Sequence, residues 1–255
     1  NILTGMDENP ITDYSGSLLR EIAIYCSKNN VSYQVIPGDG LHLLDEYYMD
    51  YAISLTGVLD DISKYTKTKF VFINTILPGE TGVKSDNFTP IKQASEYLYE
   101  RGRRRQAIVL PDANAVSLKE RIAAFEESVE NLGIPQEHCA VIELCKMDDF
   151  ENFSKKMRNF AIDGLIVAGE AMPLQISYFL DLLNLKVPAD VSVISYEVEH
   201  FSQYLIPPHT TIKQDFKTLV AKAFKMLMSK DAGKRKGDVI VPCSFIERDS
   251  VSTKI

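Results

Sequence analysis

The chain has no tryptophan, only four cysteines among 255 residues, no apolar run near the ~20 residues needed to cross a bilayer, and no excess of positive charge. Each absence excludes something. Without a long apolar segment, no membrane-spanning helix is expected, and the opening Asn1-Ile2-Leu3-Thr4-Gly5 lacks the basic segment and apolar stretch of a secretory signal. Cys26, Cys139, Cys145 and Cys243 lie inside apolar patterns and never in CxxC spacing. That favours buried, reduced thiols over disulfides or metal ligation, and a cytoplasmic setting. A net charge of -7 and a pI near 5.2 argue against nucleic-acid binding by this region, because phosphate recognition needs clustered Lys and Arg. The two basic runs, Arg101-Gly102-Arg103-Arg104-Arg105 and Lys234-Arg235-Lys236, read as solvated loops.

Signatures of catalysis are missing as well. Gly38-Asp39-Gly40 continues to Leu43, where a dinucleotide-binding turn would need glycine, and there is no GxxxxGK, GxSxG or HExxH. His42, His138, His200 and His209 are far apart without ligand spacing, so surface or capping roles are expected, with no metal and no other cofactor. Asp60-Asp61 and Asp148-Asp149 fall at helix starts, where the helix dipole favours carboxylates. No nucleophile is paired with a base, so no catalytic residue is nominated.

What is present is an ordinary globular composition, 45% hydrophobic and 25% charged, in a chain long enough for two lobes with separate cores. Apolar runs bounded by turn residues alternate with helical periodicity, the pattern of an α/β protein with largely parallel sheets. In the first set, strands are expected at 2–3, 31–36, 52–55 and 70–73, and helices at 14–27, 43–50 and near Asp60. A helix over 90–101 follows, with Ile91, Ala94, Ser95 and Leu98 on one face and Gly102 as its stop. The second set has strands at 107–110 and 164–168 and helices at 117–132, 149–161 and 170–183. Ser117 and Glu120 have capping-box spacing, which would fix the first turn beside Arg121. A helix over 216–228 and a strand over 239–241 close the list.

The densest segment is VPADVSVISYEVEHFSQYLIPPHTTIKQDF, from Val187 to Phe216. Pro188 stops the preceding helix, Val191, Val193 and Ile194 read as a strand buried on both faces, and Glu197 and Glu199 lie just past its carboxyl end. Ligands of open α/β sheets bind at such strand ends. Pro207-Pro208 stiffens the return toward a helix beginning near Asp215.

This segment resembles the end of the effector-binding core of the LacI/GalR family of bacterial transcriptional regulators, with its VPxDxSVxxYD followed by PPxTTIxQDF. The likeness continues through Asp86-Asn87, Ala94-Ser95-Glu96-Tyr97-Leu98, Glu120-Arg121-Ile122-Ala123-Ala124-Phe125 and Glu247-Arg248-Asp249-Ser250-Val251. It implies a type I periplasmic-binding-protein-like fold: two Rossmann-like parallel-sheet lobes, 1–101 plus 216–243 and 102–215 plus 244–255, joined by three hinge crossings near Gly102, Asp215 and Ser244. It further implies a homodimeric effector-binding core without its helix-turn-helix headpiece. A sugar or related metabolite would bind between the lobes, and operator DNA would be contacted through the headpiece only.

The resemblance also nominates site residues. Arg121 stands at the arginine of ERxxGF, Glu197 at the acid of YD, and Tyr14 and Ser15 at positions that face the effector in relatives; Asn9 precedes their helix. An arginine paired with an acid suits a polyol, whose fixed hydroxyls reward bidentate charged groups. Read from the residues alone, Arg121 is a surface ion pair, Asn9 a turn or cap, and Asp86-Asn87 a helix cap. Three departures stand out: Gly169-Glu170 replaces Asn-Asp, Glu197 is one methylene longer than Asp, and Gly102-Arg103-Arg104 replaces Gly-His-Arg. Losing an amide at Gly169 should change which hydroxyl pattern is accepted. Leu18, Leu19, Ile22 and Ile24 serve either the core or a twofold contact. The alternatives are a periplasmic-type sugar-binding protein of a transporter and an α/β sugar-processing enzyme.

Overall fold

Strand and helix alternate along the chain and build two separate sheets, each covered by helices on its faces. The structure is a computed structural model that describes residues 2–4, 13–37, 40–55, 62–111, 115–144, 149–169, 172–199, 201–229 and 237–253. In chain order it opens with β1 (Ile2–Thr4), α1 (Asp13–Lys28), β2 (Val35–Pro37), α2 (Leu43–Glu46), β3 (Tyr51–Ser54), β4 (Lys69–Ile73) and β5 (Gly82–Ser85). There follow α3 (Thr89–Glu100), β6 (Gln106–Leu110), α4 (Val116–Asn131), β7 (Cys139–Glu143), α5 (Phe150–Phe160), β8 (Gly164–Val167), α6 (Pro173–Leu182) and β9 (Ser192–Tyr196). The chain ends with β10 (Thr210–Lys213), α7 (Phe216–Leu227), β11 (Val239–Val241) and β12 (Ser244–Ile246).

The first unit comprises Asn1–Ser85 and Asp215–Pro242. Its six strands run in the order β11-β5-β4-β3-β1-β2, all parallel. One face carries α1 and α7, whose Leu18, Ile22, Leu219 and Phe224 pack with Ile53, Val71 and Val83. Ile36, Leu44 and Ala52 form a smaller cluster on their own. Asp215 starts α7 by accepting the amide of Thr218 at 2.9 Å. Lys69 ends it: its ammonium donates to the carbonyls of Met226, Leu227 and Ser229, groups a helix terminus otherwise leaves unpaired.

The second unit comprises Asp86–Gln214 and Cys243–Ile255. Its order is β12-β10-β9-β8-β6-β7, parallel except for the antiparallel edge pair β10 with β12. The strand alternation divides the core cleanly. Ala107 and Val109 of β6 pack with α5 and α6, whereas Ile108 and Leu110 pack with α3 and α4. Both faces are buried, which accounts for the apolar runs of β6 and β8.

Three sequence expectations change. The first boundary lies at Ser85/Asp86 and not at 101/102, because the buried Ile91, Ala94 and Leu98 of α3 pack with Ile108, Phe125 and Ile166 of the second unit. The other two crossings shift by one residue, to 214/215 and 242/243. Gly102 ends α3 as expected, at φ +82° donating to Tyr99 O while Arg103 N donates to Leu98 O, each at 3.0 Å, but it lies inside the second unit and not at a crossing. The capping box at Ser117 is absent, since α4 begins at Val116 after an extended Ala115 that makes no side-chain cap.

Candidate functional site

Arg121 projects from the second turn of α4 and is only 3% exposed. Its Nε donates to Asn87 Oδ1 at 3.1 Å, one Nη donates to the carbonyl of Ala168, and the guanidinium lies 3.8 Å from the centroid of Tyr196. Ala168 follows β8 and Tyr196 ends β9, so the cation sits at the carboxyl ends of two central strands. Asn87 donates in turn to Glu120 Oε2 at 3.0 Å, which fixes its amide orientation toward Arg121. The Asp86-Asn87 pair therefore divides its labour. Asp86 caps α3 by accepting the amides of Phe88 and Thr89 at 2.9 Å, and Asn87 belongs to the Arg121 cluster. The surface reading of Arg121 fails because the residue is buried.

Gly169 lies beside this cluster and is buried. A Cβ there would stand 2.6 Å from Met172 Sδ and 2.9 Å from Pro111 Cδ, so the space an asparagine would need is filled. Asn9 and Glu170 lie outside the described residues, as do His200, Cys145, Asp60, Asp61, Asp148 and the run at Lys234.

Glu197 is engaged within its own unit. Arg248 grips both carboxylate oxygens at 3.0 Å, and the Thr211 hydroxyl donates to Oε2. Arg248 also donates to the carbonyl of His209 at 2.6 Å and to Thr211 Oγ1 at 2.9 Å. His209 is 1% exposed, so the surface or capping role expected of it does not hold. Burial, with the nearby charge of Arg248, holds its pKa down to about 4, so the ring is neutral near pH 7. Sequence reasoning missed Arg248, 51 residues from Glu197, and Tyr196 as a platform.

In the first unit, the Tyr14 hydroxyl accepts from Asn74 Nδ2 at 2.7 Å, and its ring meets Phe216 edge-on at 5.8 Å. Ser15 is half-buried on the same helix. Asn74, at φ +62°, accepts the amide of Ser85 at 2.7 Å. The Cys26 and Cys139 thiols are pushed up chiefly by burial, consistent with inert side chains. Among the described residues no group of three or more His, Cys, Asp or Glu side chains converges to hold a metal, and no helix is long and apolar enough to cross a membrane.

The chain is similar to known proteins throughout. It is 23% identical over 164 residues to the HTH-type transcriptional regulator DegA of Bacillus subtilis (strain 168), covering 63% of this chain and 49% of that protein. It is 26% identical over 155 residues to the lactose operon repressor of Escherichia coli (strain K12), covering 60% and 43% respectively. The chain thus spans about half the length of the curated relatives it matches. These relatives are named as transcriptional regulators and repressors, not as enzymes. In fold it matches a LacI family transcriptional regulator from Enterococcus faecium with bound ribose at a TM-score of 0.84, with 19% identity and 99% of both chains covered. A CelR–cellobiose complex gives 0.82 with 18% identity, covering 98% of this chain and 83% of the other. Residues 95–251, well over half of the chain, match the periplasmic binding protein-like domain. With its two sheets, its chain crossings and this match over most of its length, the chain belongs to the periplasmic binding protein-like domain family.

Proposed function

We propose that this chain is the effector-binding and dimerisation core of a LacI/GalR-type transcriptional regulator, and that its effector is a sugar or related polyhydroxylated metabolite. Arg121 is the principal contact, with Glu197, Gly169, Tyr14, Ser15 and Asn9 as the further contacts that the family likeness implies. The observation that carries this reading is Arg121 itself: a guanidinium 3% exposed at the strand ends, set among the Asn87 amide, the Ala168 carbonyl and the Tyr196 ring. A guanidinium at strand ends offers fixed donors of the kind that recognise an oxygen-rich ligand. Neighbours described with bound ribose and with cellobiose support the ligand class.

Homodimerisation is supported by an apolar stripe on α6, where Leu174, Tyr178 and Leu182 are 59%, 60% and 45% exposed at helical spacing. Operator DNA would be contacted through a helix-turn-helix segment, as the description of DegA as HTH-type suggests, in the cytoplasm. Effector binding acts on DNA affinity only through its preference for one of two states, typically ~1 to 3 kcal/mol.

A thermal-shift screen of sugars and sugar phosphates tests the reading. A true ligand at 100 times its Kd stabilises the fold by ~2.7 kcal/mol, and Arg121→Ala should abolish that shift. Full stabilisation of the variant would refute the site, and no shift with any sugar would refute the ligand class. Sedimentation tests the dimer, for which a monomer at high concentration is the contrary result.

A further inference from the structure

Below the carboxyl end of β9, a second polar cluster runs from the Glu197 carboxylate to helix α6. Arg248 joins Glu197 to the main-chain oxygen of His209, and the His209 ring continues the path: Nδ1 lies 3.2 Å from Ser195 Oγ and Nε2 lies 3.5 Å from Ser177 Oγ. The tautomer follows from Ser177, which spends its own hydrogen on the carbonyl of Pro173 at 2.8 Å. Ser177 must therefore accept from Nε2–H, and Nδ1 accepts from the Ser195 hydroxyl. Ser177 lies in α6 next to Tyr178, the centre of the exposed Leu174, Tyr178 and Leu182 stripe. An apolar side chain would fill the His209 position without calling for matched hydroxyls on two different elements.

We propose that His209 is a positioning residue that transmits the state of the Glu197–Arg248 pair to α6, so that engagement of the Glu197 carboxylate alters the outer face of that helix. The ligand half of this statement rests on the reading of Glu197 as an effector contact. A hydroxyl competing for Glu197 loosens its fork with Arg248. Arg248 then leans on its remaining partners, the His209 carbonyl and Thr211, and residue 209 moves with it. The Nε2–Ser177 bond is already at the outer limit of hydrogen bonding, so a shift of a few tenths of an ångström removes it. Its weakness makes it the responsive link.

Hydrogen exchange of the α6 amides, followed by mass spectrometry, tests the relay without any ligand. Glu197→Gln weakens the ion pair at constant size and should speed α6 exchange about threefold to tenfold. With Ser177→Ala already present, the same change should add nothing, and Ser177→Thr, which keeps the hydroxyl, should restore the response. A merely structural role for either residue predicts additive effects. The proposal is overturned if Glu197→Gln leaves α6 unchanged, or if its effect is equal with and without the Ser177 hydroxyl. Should Glu197→Gln not fold, Arg248→Lys, which keeps the charge and loses the fork, replaces it with the same expectations. A sugar screen that failed on the parent chain would remove the effector reading and leave this measurement intact.

Discussion

Two arginines, Arg103 and Arg121, are buried almost equally at opposite ends of one sheet, 1% and 3% exposed, and are held in different ways. Arg103 precedes β6, and its guanidinium donates to the carbonyls of Pro188, Ala189 and Asp190, which lead into β9, and to Ser252 Oγ near the end of the chain. Burial lowers its pKa, while Asp163 and Asp190 oppose that shift. One side chain thus serves four acceptors on two segments. Arg121, at the strands' carboxyl ends, meets the Asn87 side chain, the Ala168 carbonyl and the Tyr196 ring. The contrast suggests that burial of a charge is not by itself a mark of function; the identity of its partners is. Carbonyl partners from a turn and a chain end make a lock, and an amide with an aromatic face makes a socket.

The largest effect should come from the lock. Arg103→Ala removes a buried guanidinium and the donor that three carbonyls share, and should cost about 3–5 kcal/mol of unfolding free energy by chemical denaturation. Arg103→Lys should recover little, since one ammonium cannot span the same acceptors. Arg121→Ala should cost less stability and lose ligand response instead; an equal loss of stability in both variants would break the comparison.

Acid should discriminate the ends next. The His209 imidazole takes up a proton near pH 6.5 when unfolded and near pH 4 when folded. Between those values the unfolded state binds more protons, so stability is fully present above pH 6.5 and falls as pH drops toward 4. The gap is worth about 3 kcal/mol at most. Arg248 is the charge facing the ring, with Glu197 behind it. Unfolding midpoints of His209→Leu across pH 7 to 4 should decline less steeply than those of the parent. Parallel profiles would show that the carboxyl end is not the acid-sensitive one. The smallest effect belongs to Gly169→Ala, about 1–3 kcal/mol, because Met172 can swing aside but the Pro111 ring has less freedom. A stabilised Gly169→Ala would mean that the socket is roomier than it stands.

The second sheet could be read from the sequence because β6 and β8 are buried on both faces and carry continuous apolar runs, while β9 keeps Val193 and Ile194 at its centre. The helices were placed within a few residues for a similar reason. What periodicity could not say is which sheet a helix covers. The apolar face of α3 looks the same whether it packs on the sheet before it or the sheet after it, and so the boundary was misplaced by sixteen residues. Strands β7, β10 and β12 are short or at an edge, and their pattern is faint. In the site, Arg121 was found through its motif, but its burial was not, since a helix arginine is usually solvated. Asn87 can cap a helix or orient a guanidinium, and local spacing fits both. His209 looked solitary because its partners Ser177, Ser195 and Arg248 come from three distant segments. One signal was available: a histidine between Pro208 and the β-branched run Thr210-Thr211-Ile212 is poorly placed for solvent.

The bond from Lys69 to the end of α7 has a consequence for the order in which the protein can be made. Its acceptors are synthesised 157 to 160 residues after it. On a ribosome adding ~5–20 residues per second, α1 and β1 to β5 therefore wait on the order of ten seconds for the helix that covers them. Throughout that wait, the apolar faces of α1 and β4 are bare while residues 86–214 are made. The first sheet is complete only with β11 at Val239–Val241, and the second only with β12 at Ser244–Ile246. A chain cut short before β11 would thus release two unfinished sheets, and the nascent chain has reason to be shielded until β11 and β12 have emerged.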